Sequence, residues 1–370
     1  MDDATISISS STDAGGPLIR IEELPQADGR PARFVTLPAN LRPLGYAELI
    51  QARPDKKLTI SINWDGTQII DTNIEGLDKK VLSNANGVLE SHFTSRAIGL
   101  VKGGWLPPAF AATNSSTILI DRNIVSQIVG RFDRGKAVGA DPDFLDLFAD
   151  QPVKINPLLF AMEGNTRAIP TAEQVRDQLD EVITKLRTAL PSAKLVVGPG
   201  SLQGALGLIE DTRAGITRKQ QFLMRLAPSL ATPVSRADMP ARRDEVFATA
   251  DQCGVSRSSL VVLAALSAAF FGNGVSPAKR LLKFKAGYRE EDAYNALVDL
   301  RSLEMLIYLF AFFPDESTML CTADRNLALF WTGIRASNFE RNGAAVRFDL
   351  SPTDELLPGA VNEWRDHLGQ

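Results

Sequence analysis

Histidine and cysteine are scarce in this chain of 370 residues: His92 and His367, Cys253 and Cys321 are the full set. A zinc site would need nearly all four from distant positions, and no CxxC or HxxxH spacing brings any pair together. A Ser-His-Asp triad would have only His92 or His367 to draw on, and no GxSxG places a nucleophile on an elbow. Any catalytic chemistry therefore falls to carboxylates. So few cysteines fit a reducing compartment, and the start MDDATISISSST lacks the basic n-region and apolar h-region of a secretory signal. Long apolar runs are missing too: LVVLAALSAAFF, Leu260 to Phe271, has 12 residues where about 20 span a bilayer. The charge balance, 40 basic against 44 acidic residues, excludes coating of nucleic acid by bulk charge and leaves room for a local basic patch. The expectation is a soluble, cytoplasmic protein with no membrane partner.

What is present is an ordinary globular composition, 44% hydrophobic and 23% charged, long enough for one domain plus a sizeable addition. Residues 1–17, rich in Ser, Asp, Thr and Gly, read as a disordered tail. From residue 18 to 112, runs such as LIRIEEL, ARFVTL and KLTISINW predict a β-rich accessory domain, with Asp65-Gly66 as a hairpin turn. The loop GGWLPPAFAATNSS closes it. Over 113–340 strands alternate with helices, the mark of a parallel α/β sheet: strands TILI, PVKI, KLVV and TMLCT, and a long helix opened by the Thr171/Gln174 capping box. Asn156-Pro157 predicts a capped helix through LLFAMEGN. Helices dominate from about 200 to 285, and 341–370 forms a C-terminal extension.

Two of the strands end alike. ILI runs into Asp121-Arg-Asn123 and LCTA into Asp324-Arg-Asn326, each an apolar strand delivering an acid to a helix start. At the carboxyl edge of a parallel sheet that is where open α/β folds bind ligands, although a lone Asp at such a position also serves as a helix cap. Asp299 follows from helical spacing. At 100° per residue Leu303 and Leu306 fall within about 40° of it and Ala296 within about 60°, whereas Glu304 and Arg301 lie about 140° and 160° away. The acid is thus predicted on an apolar face, where burial must be compensated by a cation or a proton; Asp292, two turns earlier, is its alternative. Glu163 interrupts the apolar helix NPLLFAMEGN. Four carboxylates from one α/β domain are hard oxygen ligands suited to Mg²⁺ or Mn²⁺.

In these four segments, ILIDRN, LLFAMEGN, NALVDLRSLEMLI and LCTADRNLALFW, the chain resembles PIN-domain nucleases over about Ser116 to Ser337. The resemblance implies a PIN-like parallel sheet flanked by helices and a metal-dependent endoribonuclease, with single-stranded or structured RNA as substrate and, in some branches, DNA. It maps Asp121, Asp299 and Asp324 onto metal-binding aspartates, Glu163 onto the family's glutamate, and Asn123 onto a supporting polar residue. One departure is the spacing: Glu163 and Asp299 stand 136 positions apart, which implies a large helical insertion and keeps Asp292 and Glu210 open as alternatives to Asp299. That insertion is expected to pack on the sheet or form a homodimer contact. The competing functions are a catalytically inactive binding or scaffold module and a DNA-directed phosphodiesterase.

Other features are weaker. Lys279, Arg280, Lys283 and Lys285 form a basic patch that suits a solvated helix face or phosphate contacts. GPGSLQG, Gly198 to Gly204, lacks the lysine of a phosphate loop. Trp64, Trp105, Trp331 and Trp364 are expected in packing, and Cys321 in a buried strand is expected to be inert.

Overall fold

The computed structural model describes residues 5–11, 16–25, 30–36, 41–53, 56–76, 82–112, 116–139, 141–149, 151–235, 237–270, 276–343 and 345–358. The remainder of the expected tail (1–4 and 12–15), Phe271, and residues 359–370 with Trp364 and His367 lie outside them. The chain divides into two compact units: residues 1–156, 183–196 and 315–323 form one, and residues 157–182, 197–314 and 324–370 the other.

In the first unit, β1 (Thr5–Ser11), β2 (Gly16–Pro25), β3 (Pro31–Thr36), β4 (Thr59–Thr72) and β5 (Leu82–Glu90) make an antiparallel meander in chain order. β1 corrects the expectation of a tail: Thr5 to Ser11 pair residue by residue with β2, and the alternation Ile6, Ser7, Ile8, Ser9 has the period of a strand. Asp65-Gly66 is not a hairpin turn either. β4 runs straight through it with a register shift between Trp64 and Thr67, and Gly66 takes φ +62° to absorb the extra residue as a β-bulge. Arg42 donates to the Asp65 carboxylate and Asn84 Oδ1 accepts the Gly66 N–H at 2.9 Å, so the bulge is pinned from both sides. Helix α1 (Tyr46–Gln51) lies between β3 and β4 in the chain.

The same unit holds a mixed α/β layer around a six-stranded, mostly parallel sheet. Its strands are β6 (Ile98–Val101), β7 (Gly104–Leu106), β8 (Thr117–Ile120), β11 (Lys154–Asn156), β12 (Lys194–Leu195) and β13 (Thr318–Thr322), in the order β12-β11-β8-β13-β6-β7. A two-stranded ribbon, β9 (Phe132–Asp133) with β10 (Lys136–Ala137), stands apart. β12, β11, β8 and β13 are parallel; β6 joins β13 antiparallel and β7 joins β6. β6 and β7 thus belong to this sheet and not to an accessory domain ending at 112, because β6 pairs with β13 and β7 with β6. Helix α2 (Pro108–Ala111) packs on β6 and α3 (Arg122–Arg131) on β13. Ile118, Leu119, Ile120, Met319, Leu320 and Cys321 are all sealed from solvent, as apolar central strands covered on both faces must be.

The second unit is helical: α4 (Leu158–Glu163), the start of α5 (Ala172–Ala189), α6 (Ser201–Leu230), α7 (Met239–Cys253), α8 (Leu260–Phe270), α9 (Pro277–Leu282), α10 (Glu290–Phe312) and α11 (Arg325–Ile334), closed by the hairpin β14 (Ser337–Asn342) and β15 (Ala345–Asp349). Pro157 occupies the cap of α4 and makes no side-chain cap bond, so Asn156 is not the N-cap; it ends β11. α8 is buried on every side from Leu260 to Ala269, with α6, α7, α9 and α10 packed around it. A helix apolar all round belongs in a core, and Leu260–Ala269 form part of the core of the second unit. Nor is the stretch after residue 340 a mere extension. The hairpin packs on α10, Leu356 and Leu357 are fully buried, and the Ser267 hydroxyl donates to the Leu356 carbonyl at 2.6 Å.

Candidate active site

Asp121 leaves the end of β8 in extended conformation and caps α3. Its Oδ1 accepts the Ile124 N–H at 2.8 Å, and its Oδ2 accepts the hydroxyl of Thr322, the last residue of β13, at 2.7 Å. Thr322 is fully buried and Asp121 half-buried. The position matters topologically. From β8 the chain moves one way to β11 and β12, then returns on the other side of β8 as β13. The strand order therefore reverses between β8 and β13, and open parallel sheets bind ligands outside the carboxyl ends of strands at such a reversal. Thr322 was not singled out by the sequence; its only signal was its place as the last residue of TMLCT. Asn123, two positions past Asp121, is exposed on α3.

β8 and β13 are parallel neighbours in register Thr117↔Thr318 to Ile120↔Cys321, so Asp121 and Asp324 follow the carboxyl ends of adjacent strands. Asp324 stands two residues beyond β13 and caps α11 in the second unit: its Oδ1 accepts the N–H groups of Asn326 at 2.7 Å and Leu327 at 3.1 Å. Burial, with the charges of Asp121 and Asp143, pushes the Cys321 thiol well up, so this cysteine stays a neutral packing group as predicted. Asp143 is a buried carboxylate that sequence patterning missed. It is 3% exposed and accepts from Thr94 Oγ1 at 2.7 Å, Leu145 N at 3.0 Å and Arg96 N at 3.3 Å, a full set of donors that marks it as structural.

Glu163 is the last residue of α4, half-buried, and its backbone carbonyl accepts the Tyr294 hydroxyl at 3.1 Å. Burial pushes the Tyr294 phenol up to about 12, which keeps it a donor. Asp299 departs from its wheel prediction. It is half-buried, while Arg301, assigned to the opposite face, is 8% exposed and Ser302 is 7% exposed. The reason is that α10 is packed by α6, α8, α9, α11 and the terminal hairpin, so it has no single apolar face. Burial holds the Arg301 guanidinium below its ordinary range, and it donates to Thr212 Oγ1 at 3.3 Å. The alternatives to Asp299 are spent locally: Asp292 binds Lys285 Nζ at 2.7 Å and the Arg289 N–H at 3.0 Å, and Glu210 pairs with Arg213.

Among the described residues, no group of three or more His, Cys, Asp or Glu side chains is placed to hold a metal ion. Arg280, Lys283 and Lys285 of the basic patch are exposed, and Gly198 at the glycine-rich turn gives its N–H to Ser201 Oγ at 2.9 Å. Trp64, Trp105 and Trp331 are buried as expected. Among the described residues no helix is long and apolar enough to cross a membrane.

No family model, curated protein or solved structure matches this chain.

Proposed function

We propose that the chain is a PIN-like, divalent-metal-dependent hydrolase of RNA phosphodiester bonds, with an N-terminal β-rich accessory domain and with Asp121 as the carboxylate that anchors Mg²⁺ or Mn²⁺. One observation carries the reading: Asp121 follows β8 at the reversal of strand order, with its two oxygens oriented by the Ile124 N–H and the Thr322 hydroxyl. A carboxylate held in one orientation by neighbouring donors suits a hard cation. Magnesium needs only one or two protein carboxylates when waters and substrate phosphate oxygens complete its octahedron. An ion that arrives with its substrate is therefore compatible with the lack of a three-residue cage among the described residues. Asp324, Asp299 and Glu163 are the further carboxylates of the proposal, and Asn123 its supporting polar group. The test is cleavage of end-labelled RNA, single-stranded and structured, with Mg²⁺ or Mn²⁺ and with chelator, beside single-stranded, flap and duplex DNA. Chelator-sensitive RNA cleavage lost in Asp121→Asn supports the reading; cleavage of DNA alone moves it to the DNA-directed alternative.

A second reading is a binding or scaffold module. The observation that favours it is that Asp121 and Asp324 both serve as helix caps while no cluster of three metal-binding side chains forms among the described residues. Absence of cleavage with every nucleic acid and both ions would select it.

A further inference from the structure

In the second unit, the loop after α4, the middle of α6 and the first turn of α10 line an open cleft of about 440 Å³. That volume lies within the roughly 300–1,000 Å³ of small-molecule sites. Its chemistry is dipolar. Arg167 and Arg289 bring two guanidinium groups, Glu290 and Glu291 two carboxylates, and among the described residues none of the four is held in an ion pair. Beneath them Gln220, 6% exposed, donates its amide to the Glu290 carbonyl at 3.4 Å and lines the cleft, while Ile169 contributes an apolar wall.

We propose that this cleft binds a small zwitterion of the amino-acid or short-peptide class, its carboxylate on Arg167 and Arg289 and its ammonium on Glu290 and Glu291. Three observations support that class. Guanidinium forks match a carboxylate through paired hydrogen bonds. The lining charges cancel, so a simple anion drawn by the arginines meets two glutamates, whereas a ligand carrying both signs is complementary throughout. A nearly buried amide at the base supplies a directional contact of the sort that orients ligands in otherwise mixed pockets, and Ile169 suits an aliphatic side chain.

The experiment is calorimetric titration of the full chain with leucine and alanyl-leucine, beside N-acetyl-leucine, which lacks the ammonium, leucinamide, which lacks the carboxylate, and adenosine monophosphate. The expected result is saturable binding of a zwitterion, weakened at least about tenfold in each blocked analogue and in Arg167→Gln and Glu291→Gln, with the thermal midpoint of both variants unchanged. The variants lie on exposed side chains, so they keep the fold in which the affinity is read. Three results would overturn the proposal: no saturable binding of either zwitterion at millimolar concentration, binding indifferent to the blocked analogues and to both variants, or binding of adenosine monophosphate alone. None of these outcomes bears on RNA cleavage, which is read separately through Asp121.

Discussion

The hydroxyl of Thr322 donates to Oδ2 of Asp121 at 2.7 Å, joining the last residue of one buried parallel strand to the first residue beyond its neighbour. This bond orients the acid at the point where the strand order reverses. Thr322→Val keeps the shape and removes the donor. Because a buried hydrogen bond to a charged acceptor contributes about 1.5–3 kcal/mol, urea unfolding should show a loss of that order, and any metal-dependent RNA cleavage should fall with it.

Asp121→Asn should separate cap from ligand. Asparagine caps a helix about as well as aspartate but turns the Thr322 bond into one between neutral groups, so urea unfolding should place its stability within about 1 kcal/mol of the parent. Loss of an anionic ligand should reduce Mg²⁺-dependent RNA cleavage by at least about 10²-fold. Full activity in this variant would leave Asp121 as a cap only. Asp121→Ala should in addition cost about 1 kcal/mol through the lost cap and about 1.5–3 kcal/mol through the acceptor lost to the Thr322 hydroxyl.

The Arg131 and Asp146 side chains, 15% and 17% exposed, form a two-bond ion pair, with Asp146 Oδ2 also accepting the Asp143 N–H at 2.9 Å. Removing Asp146 leaves the largely buried Arg131 guanidinium its bond to the Asp141 carbonyl but not its ion-pair partner, so Asp146→Ala should lower the unfolding free energy by about 3 kcal/mol. An unchanged denaturation midpoint would show that water reaches Arg131 freely.

Asp292 should shape the acid limb of stability. The Lys285 ammonium and the Arg289 N–H hold its carboxyl below the usual carboxylate range. A depressed folded pKa contributes stability above the unfolded value of about 3.9 and loses it as pH falls through the lower folded value. Thermal unfolding of the parent and Asp292→Asn should therefore differ at pH 7 and converge as pH falls below the unfolded value and through the lower folded one. A gap that persists to the lowest pH would assign the difference to something other than this charge.

Arg301 is buried and its guanidinium is held below its ordinary range by that burial. Arg301→Met keeps most of the stem's packing and removes the desolvated charge. Its thermal midpoint should equal or exceed that of the parent; a fall of several degrees would mean that the bond to Thr212 outweighs the cost of burial.

Local signals carried far where an element depends on its own residues. Thr171 and Gln174 form the capping box their spacing predicts, Thr171 N to Gln174 Oε1 at 2.9 Å and Gln174 N to Thr171 Oγ1 at 3.2 Å. TILI and TMLCT are strands with the predicted bounds, and each is followed by an acid that caps the next helix. Spacing along the chain failed where neighbours decide. Asp65-Gly66 suits a turn and a bulge equally, and pairing of β4 with both β3 and β5 selected the bulge.

What this sequence determined alone is the run of apolar residues into Asp121 and into Asp324, because strand burial and helix capping act over four or five neighbouring residues. Only the tertiary structure decided that Thr322 turns to Asp121, that Arg301 and not Asp299 is buried on α10, and that α8 is enclosed by four helices. Those outcomes depend on which distant elements come to lie alongside, and burial of a face is set by the partners that cover it, which periodicity along one chain does not encode.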